Sequence, residues 1–157
     1  MNQIIELNVN GQRREIMVAP RDVLVDVLRK SLGLTGSKIG CRHGHCGACT
    51  VLIDGKPSIA CLTIAMSCQG KEITTIEGLD DDGKLDPLQH EFIERGAVQC
   101  GYCIPGMILT AKALLAVNPD PSEDEVREGL AGNLCRCTGY AKIIEAVQAA
   151  AQTDESR

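Results

Sequence analysis

Aromatic side chains are almost absent from this sequence. Its 157 residues include no tryptophan, one phenylalanine and two tyrosines, namely Phe92, Tyr102 and Tyr140. Basic residues are outnumbered by acidic ones, and the formal net charge is −5. Because nucleic-acid binding needs clustered Lys and Arg, and stacking on single strands needs aromatic rings, this composition argues against a nucleic-acid partner. It also predicts a compact core built from aliphatic side chains.

Long apolar runs are absent as well. The N-terminus lacks the basic segment and apolar stretch of a secretory signal, and no run approaches the length of a spanning helix. We therefore expect no membrane insertion and a cytoplasmic location, where thiols stay reduced. Nine cysteines in that compartment indicate metal binding rather than disulfides, and an odd number fits a disulfide framework poorly.

The first half of the chain has the pattern of a mixed α/β unit. Apolar and polar residues alternate as they do in half-buried strands, and two Asx-Gly pairs are typical of hairpin turns. The predicted elements are a strand at Ile5–Val9, a turn at Asn10-Gly11, a strand to Val18, a short helix capped by Asp22, a hairpin around Asp54-Gly55 with Cys61 on its returning strand, and a strand at Ile73–Ile76.

The second half has the pattern of an all-helical unit. An acidic, glycine-flanked stretch at 77–83 separates it from the first half. The predicted helices are Pro87–Arg95, Pro105–Val117, one from the capping box Ser122 and Glu125 to about Ala131, and Tyr140–Ala151, followed by a frayed tail at 153–157. We therefore expect domains at 1–78 and 85–157, with a linker at 79–84.

Four cysteines in the first half follow the spacing C-x4-C-x2-C-x11-C. They are Cys41, Cys46, Cys49 and Cys61, and this is the plant-type ferredoxin pattern for a [2Fe–2S] cluster. The glycines at 40, 44 and 47 are expected to allow the left-handed turns that wrap a loop around a cluster. The alternatives are unrelated free thiols and structural zinc, which is usually held by paired C-x2-C knuckles. Since four cysteines complete the site, the intervening His43 and His45 are interpreted as surface residues of the loop rather than Rieske ligands.

Four further cysteines in the second half follow the spacing C-x2-C-x31-C-x-C. Cys100 and Cys103 precede one predicted helix, and Cys135 and Cys137 precede another. Helix N-termini carry partial positive charge, which suits an anionic iron–sulfur core. From spacing alone, a Cys₄ zinc site remains an open alternative here. The ninth cysteine, Cys68, belongs to neither group and is expected to be a small buried residue.

The loops around both groups carry a family resemblance. The segments GCRHGHCGACTV, QCGYCIPGM and GNLCRCTGY resemble the motifs of the two-cluster iron–sulfur subunit of the molybdenum hydroxylases, the xanthine dehydrogenase, aldehyde oxidoreductase and carbon monoxide dehydrogenase family. The resemblance extends over nearly the whole chain. It implies an α+β protein with an N-terminal β-grasp plant-type ferredoxin-like domain followed by an all-α four-helix-bundle [2Fe–2S] domain.

The resemblance also implies which residues bind which cofactor. The four cysteines of the first half would hold a distal cluster near FAD, and the four of the second half a proximal cluster near the molybdenum cofactor. Gln99 and Cys100 would contact the molybdopterin, so Cys100 would have two roles. Independently of the resemblance, Tyr102 and Tyr140 lie in the loops of the second group, so they are expected to shield that cluster from water, although packing alone would also explain them. The implied partners are a large molybdopterin-binding subunit and a medium FAD-binding subunit.

These features predict an electron-transfer subunit of an oxidoreductase complex rather than a catalyst, because no nucleophile–base arrangement is evident. The partners are expected to be separate chains, since the sequence ends soon after the fourth helix. We expect the complex to oxidise an aromatic or N-heteroaromatic compound. The alternatives are the same subunit in a carbon monoxide dehydrogenase, an aldehyde dehydrogenase or a 4-hydroxybenzoyl-CoA reductase, a free-standing diferredoxin, and a zinc-stabilised adaptor.

Overall fold

The fold is α+β, with a mixed five-stranded sheet in the first half of the chain and helices in the second, as the sequence predicts. This computed structural model describes residues 1–80 and 83–154. The sheet has the strand order β2-β1-β5-β3-β4. Its strands are β1 (Gln3–Val9), β2 (Gln12–Val18), β3 (Thr50–Ile53), β4 (Lys56–Ile59) and β5 (Glu72–Thr74).

Both predicted hairpins are present in the sheet. Asn10 and Gly11 have φ angles of 53° and 72°, so the two-residue turn takes the left-handed backbone that the Asn-Gly pair indicates. The turn at Asp54-Gly55 does the same, with φ angles of 50° and 75°. Strand β5 pairs in parallel with β1 and antiparallel with β3, so it joins the two hairpins into one sheet.

The helix after the first hairpin is in the predicted place, but its predicted cap is wrong. Helix α1 (Leu24–Asp26) has Val23 at its N-cap position and no side-chain cap. The Asp22 carboxylate instead accepts a hydrogen bond of 2.8 Å from the backbone N–H of Ala19, which closes the preceding turn. Helix α1 continues directly into a π-helical turn at Val27–Ser31.

Residues 83–154, the described part of the second half, contain four α-helices near the predicted positions. They are α2 (Pro87–Glu94), α3 (Ile104–Val117), α4 (Glu123–Gly129) and α5 (Ala141–Asp154). Helix α4 begins with the predicted capping box, in which Ser122 and Glu125 bond each other's backbone N–H groups. Helices α2 and α4 each contact both α3 and α5.

Helix α3 is buried on more than one side because it lies between the other helices and the sheet. Its composition is apolar around most of its circumference, as expected for such a position. Leu109 and Ala113 pack against Leu52 of β3, while Met107 and Ile108 belong to the core between the helices. The two halves of the chain therefore share an apolar contact in addition to their separate cores.

Several predicted boundaries differ from the structure. Strand β5 ends at Thr74 and is followed by a 3₁₀ turn, so the predicted strand to Ile76 is too long. Strand β4 ends at Ile59, which places Cys61 just after it rather than on it. Leu79, at the start of the predicted linker, packs against the apolar contact of α3 and β3.

Two predicted segments are described only in part. Asp81 and Asp82 of the linker lie outside the described residues. The predicted tail is wrong at its beginning, because α5 extends to Asp154; its remainder, 155–157, lies outside the described residues. Among the helices that the structure describes, none has the length and apolar character needed to cross a bilayer.

Candidate metal centres

The first four cysteines lie around a loop that precedes β3 and a turn that follows β4. Two residues of this loop, Gly44 and Gly47, have φ angles of 77° and 68°, as predicted for a backbone that wraps tightly. The same prediction is wrong for Gly40, whose φ is not in the left-handed region. A side chain at Gly40 would instead place its Cβ 2.7 Å from the Cys46 sulfur, so this glycine leaves room for the thiol.

Backbone N–H groups point at a sulfur of the first loop. The N–H groups of His43 and His45 each donate to Cys41 Sγ at 3.3 Å. Hydrogen bonds from the backbone of His43, which has the largest effect, and of Cys46 and His45 lower the pKa of the Cys41 thiol to about 6. Cys49 is buried, and burial raises its pKa to about 11. The side chains of His43 and His45 are exposed, as predicted for surface residues of the loop.

The second four cysteines lie in two loops that precede α3 and α5. Cys103 is the N-cap residue of α3, so its thiol lies at the positive end of that helix. Thr138 donates its backbone N–H to Cys135 Sγ at 3.4 Å, and its hydroxyl oxygen lies 3.1 Å from the same sulfur. The hydroxyl of Tyr140 accepts a hydrogen bond of 2.8 Å from the backbone N–H of Cys135, which fixes the loop from its other side.

The thiols of the second group differ in acidity for local reasons. Burial raises the pKa of Cys103 to about 12. Burial also acts to raise the pKa of Cys135, but hydrogen bonds from Thr138, from the backbone of Cys137 and with the Cys103 thiol together outweigh it and leave this pKa lowered. The backbone N–H of Tyr102 lowers the pKa of Cys100, whereas the hydrogen bond to Cys100 raises that of Cys137. Bound metal favours the thiolate form, so the thiols with raised pKa would lose their protons on metal binding.

Within each group, the thiols interact most strongly in pairs and more weakly across the pairs. Hydrogen-bond interactions join Cys41 with Cys46 and Cys49 with Cys61 in the first group, and Cys100 with Cys137 and Cys103 with Cys135 in the second. Over residues 1–80 and 83–154, no three His, Cys, Asp or Glu side chains converge as they do around a single metal ion. A pairwise arrangement is compatible with a binuclear cluster, in which each iron takes two cysteine ligands.

The residues predicted to contact the molybdopterin are at the surface of this chain. Gln99 and Cys100 are both exposed, immediately before the loop that leads into α3. Val98, Tyr102 and Leu134 are exposed apolar residues in the same two loops. This part of the surface therefore combines apolar side chains with an amide that can both donate and accept hydrogen bonds.

The remaining cysteine is separate from both groups. Cys68 is fully buried in the core beneath the sheet, and burial raises its pKa. Its thiol lies 3.8 Å from the carbonyl oxygen of Ile64. It therefore packs as the small buried residue that the sequence predicts.

Sequence reasoning missed several residues that support these loops. Arg42 takes a left-handed backbone with φ of 58° and forms two hydrogen bonds, of 2.9 and 3.0 Å, with the Asp26 carboxylate. The guanidinium group of Arg42 holds the pKa of Asp26 below its usual value. Asn133, which is buried, contacts both Thr110 and the first cysteine loop. Both Arg42 and Asn133 lie inside the cysteine motifs, and this was the only signal for them in the sequence.

Matches to two iron–sulfur family models define the class of this protein. A family model for a 2Fe-2S iron-sulfur cluster binding domain matches residues 7–71, and one for a [2Fe-2S] binding domain matches residues 75–148. The chain is 53% identical to the nicotinate dehydrogenase small FeS subunit of Eubacterium barkeri, over 97% of this chain and 98% of that one. It belongs to the family of iron–sulfur subunits of the molybdenum hydroxylases.

Solved structures agree with this family. The chain matches one in quinoline 2-oxidoreductase from Pseudomonas putida 86 with a TM-score of 0.95 and 50% identity, over 99% of this chain and 97% of that one. It also matches aldehyde oxidoreductase from Desulfovibrio desulfuricans ATCC 27774 with a TM-score of 0.93 and 47% identity, over 98% of this chain but 17% of that one. The same two-cluster unit therefore occurs both as a chain of similar length and as a part of a much longer polypeptide.

Proposed function

We propose that this chain is the electron-transfer subunit of a molybdenum hydroxylase whose substrate is an N-heteroaromatic compound. The electron-transfer role follows from membership of the family. The observation that carries the proposal at the level of residues is the arrangement of eight thiols as two sets of two pairs. When bound, [2Fe–2S] clusters supply one-electron carriage between a partner's oxidation centre and an electron acceptor.

Each proposed set of ligands lies in surroundings that suit an anionic cluster. We propose that Cys41, Cys46, Cys49 and Cys61 hold the distal cluster, and that Cys100, Cys103, Cys135 and Cys137 hold the proximal one. The N–H donors of His43 and His45 support the first set, and the position of Cys103 at the start of α3 supports the second. Hydrogen bonds to the sulfurs and burial are the means by which these residues would set the reduction potentials.

The surface around Gln99 would face the molybdenum partner. Its amide and the neighbouring thiol of Cys100 would contact the molybdopterin, and the apolar side chains of Val98, Tyr102 and Leu134 would be buried against the large subunit. A medium FAD-binding subunit would then contact the first cysteine loop, where His43 and His45 are exposed. Two ligand sets of free thiols would need a reducing compartment, so the location of the chain would be cytoplasmic.

Finer assignments of the fold belong to the same proposal. The element order of the first half supports a β-grasp ferredoxin-like domain at 1–78. In the second half, α2 and α4 each contact α3 and α5, which supports a four-helix bundle within 85–157. Residues 79–84 would be the linker between them.

The substrate class is supported by the names of relatives. Nicotinate dehydrogenase and quinoline 2-oxidoreductase both act, by name, on nitrogen-containing aromatic rings. The second candidate is the same electron-transfer role in a complex that oxidises aldehydes, because the aldehyde oxidoreductase unit is 47% identical to this chain. The substrate would bind to the large partner in either case, so the two candidates differ in the partner and agree in the role of this chain.

Purification of the chain from its native source tests the proposal. We expect a much larger molybdopterin-containing chain to co-purify with it, together with iron and acid-labile sulfide in equal amounts. A colourless chain with stoichiometric zinc would overturn the cluster assignment. A chain that carries both clusters but purifies alone would support the free-standing diferredoxin instead.

A matched pair of glutamine variants tests the role of Gln99 in that complex. Gln99→Ala should slow the reduction of the proximal cluster by substrate, as followed by paramagnetic resonance after rapid mixing. Gln3→Ala, at an exposed position on β1, should behave as the wild type does. Equal rates in the two variants would remove Gln99 from the proposed cofactor contact.

A further inference from the structure

A buried side chain joins the two cysteine-bearing regions. Asn133 is 4% exposed and lies two positions before Cys135. Its Nδ2 donates a hydrogen bond of 3.0 Å to the carbonyl oxygen of Gly47, which lies between Cys46 and Cys49. Its Oδ1 accepts a hydrogen bond of 2.9 Å from the hydroxyl of Thr110 in α3. Both ends of the amide therefore have partners, and the three groups belong to three separate segments.

Two glycines allow these segments to come this close. A Cβ atom at Gly106, in the first turn of α3, would lie 2.3 Å from the carbonyl oxygen of Gly47. A Cβ atom at Gly47 would lie 2.4 Å from the carbonyl oxygen of Gly132. Both distances are far below a van der Waals contact, and the atoms that would clash belong to the backbone. A side chain at either position would thus push the two regions apart.

A backbone hydrogen bond lies beside the Asn133 contact. The N–H of Leu134 donates to the carbonyl oxygen of Cys46 at 2.9 Å. Leu134 directly precedes Cys135, and Cys46 is itself one of the proposed ligands. The backbone that carries one proposed ligand set is therefore held directly to the backbone that carries the other.

We propose that Asn133 is a positioning residue that fixes the separation of the two clusters. This inference rests on the proposed function, because it concerns the transfer of one electron from the reduced proximal cluster to the oxidised distal cluster, with no bond formed or broken. The rate of such a step depends on how closely and how rigidly the two centres are held. A buried amide that is satisfied at both ends specifies one arrangement of its neighbours, which is the property that this step requires.

The geometry also explains why an amide, rather than an apolar side chain, lies here. The Gly47 carbonyl already accepts hydrogen bonds from the backbone N–H of Thr50 at 3.1 Å and from its hydroxyl at 2.7 Å. The Gly47 carbonyl therefore keeps hydrogen-bond donors even without Asn133. Of the three donors to the Gly47 carbonyl, only Asn133 comes from the second half of the chain. Its hydrogen bond therefore fixes the position of the second half relative to the first cysteine loop.

Magnetic coupling between the two reduced clusters measures this effect without relying on turnover. The full chain, with both clusters reduced by dithionite, is compared as wild type, Asn133→Ala and Gly106→Ala. Two control variants match them. Thr75→Val removes the partly buried hydrogen bonds of the Thr75 hydroxyl with Asn10 and Glu77 inside the first half, and Gly132→Ala adds a Cβ where no atom lies within 4 Å.

We expect both test variants to retain two clusters and to show a weaker coupling, while both controls keep the wild-type coupling. Gly106 lies in a helix, where alanine is intrinsically favoured over glycine, so a loss of coupling there reports the clash with Gly47 rather than a weakened helix. Faster hydrogen exchange in the peptide around Leu134 should accompany the change. Unchanged coupling in both test variants would overturn the inference.

A milder variant decides the case if Asn133→Ala loses a cluster. Thr110→Val keeps the Asn133 side chain and removes only the donor that orients it, and unchanged coupling there would also overturn the inference. The outcomes separate this inference from the function on which it rests. If the coupling changes but the chain purifies without a molybdenum partner, only the proposed function is contradicted. If the coupling is unchanged and the chain purifies with that partner, only the positioning role of Asn133 is contradicted.

Discussion

The hydroxyl group of Tyr102 donates a hydrogen bond of 2.8 Å to the backbone carbonyl oxygen of Ile39. Tyr102 lies between Cys100 and Cys103 of the second group, and Ile39 lies two positions before Cys41 of the first. The tyrosine thus bridges the two halves at their surface, as Asn133 does in the interior. Tyr102 is 47% exposed, so the predicted shielding of the proximal cluster by its ring would be partial unless a partner covers this residue.

Replacement of Tyr102 by phenylalanine should have a small effect on stability. The variant loses one hydrogen bond at a solvent-accessible site, so the free energy of unfolding should fall by about 0.5–1.5 kcal/mol. Denaturant unfolding of the cluster-containing chain measures the difference. A loss of unfolding free energy well above that range would mean that the hydrogen bond to Ile39 also holds the aromatic ring in its packed position.

Replacement of Tyr140 by phenylalanine should act on one cluster selectively. The Tyr140 hydroxyl accepts a hydrogen bond from the backbone N–H of Cys135, and without it this N–H loses its partner inside the loop. We expect the proximal cluster to release iron to a chelator faster, with the distal cluster unaffected. Separate paramagnetic-resonance signals for the two clusters follow the loss, and Tyr102→Phe is the matched control. Equal acceleration of both clusters would contradict the expectation.

The Cys103→Ser variant tests the proposed ligand assignment. It should damage the proximal cluster and block electron transfer from molybdenum, while the signal of the distal cluster persists. Paramagnetic resonance of the reduced protein distinguishes the two signals. If both remained unchanged, the assignment of Cys103 as a ligand would be wrong. The reciprocal variant Cys49→Ser should preserve the proximal signal and remove the distal one.

Replacement of Asp26 by asparagine should release Arg42 and destabilise the first cysteine loop slightly. The ion pair is partly exposed, so we expect a loss of about 0.2–1 kcal/mol in the free energy of unfolding. Urea unfolding of the wild type and the variant, each with both clusters in place, measures this difference.

The pH dependence of that loss follows from the lowered pKa of Asp26. A carboxyl whose pKa is lower in the folded state stabilises fully above its unfolded value of about 3.9, and this contribution disappears only as the pH falls through the folded value. The difference between wild type and variant should therefore stay constant between about pH 5 and pH 8. A difference that shrinks within this range would show that Arg42 does not hold the carboxyl in its charged form.

The strands and turns were predictable because their signals are local. Alternation at Ile5, Leu7 and Val9 marks the face of β1 that is buried, and the Asx-Gly pairs mark both hairpin turns. The capping box at Ser122 is equally local and is confirmed. Asp22 was misassigned because an aspartate before an apolar run fits a helix cap and a closed turn equally well, and only the N–H of Ala19 decides between them.

The support of the cysteine loops was not predictable, because it depends on contacts between distant positions. The Asn133–Gly47 hydrogen bond joins residues 86 positions apart, and the Tyr102–Ile39 bond joins residues 63 positions apart. Periodicity and turn propensity contain no information about such pairs. The sequence also gives no signal for the left-handed backbones of Arg42 and Tyr140, because neither residue type favours that conformation by itself.

The position of α3 between the sheet and the other helices has a consequence for chimeric proteins. Leu109 and Ala113 face Leu52 of the sheet, so the helical half presents an apolar surface shaped for one particular strand. A hybrid that takes its first half from one relative and its second half from another would place that surface against a foreign β3. Exchanges within this family should therefore succeed only when the residues on both sides of this contact are transferred together.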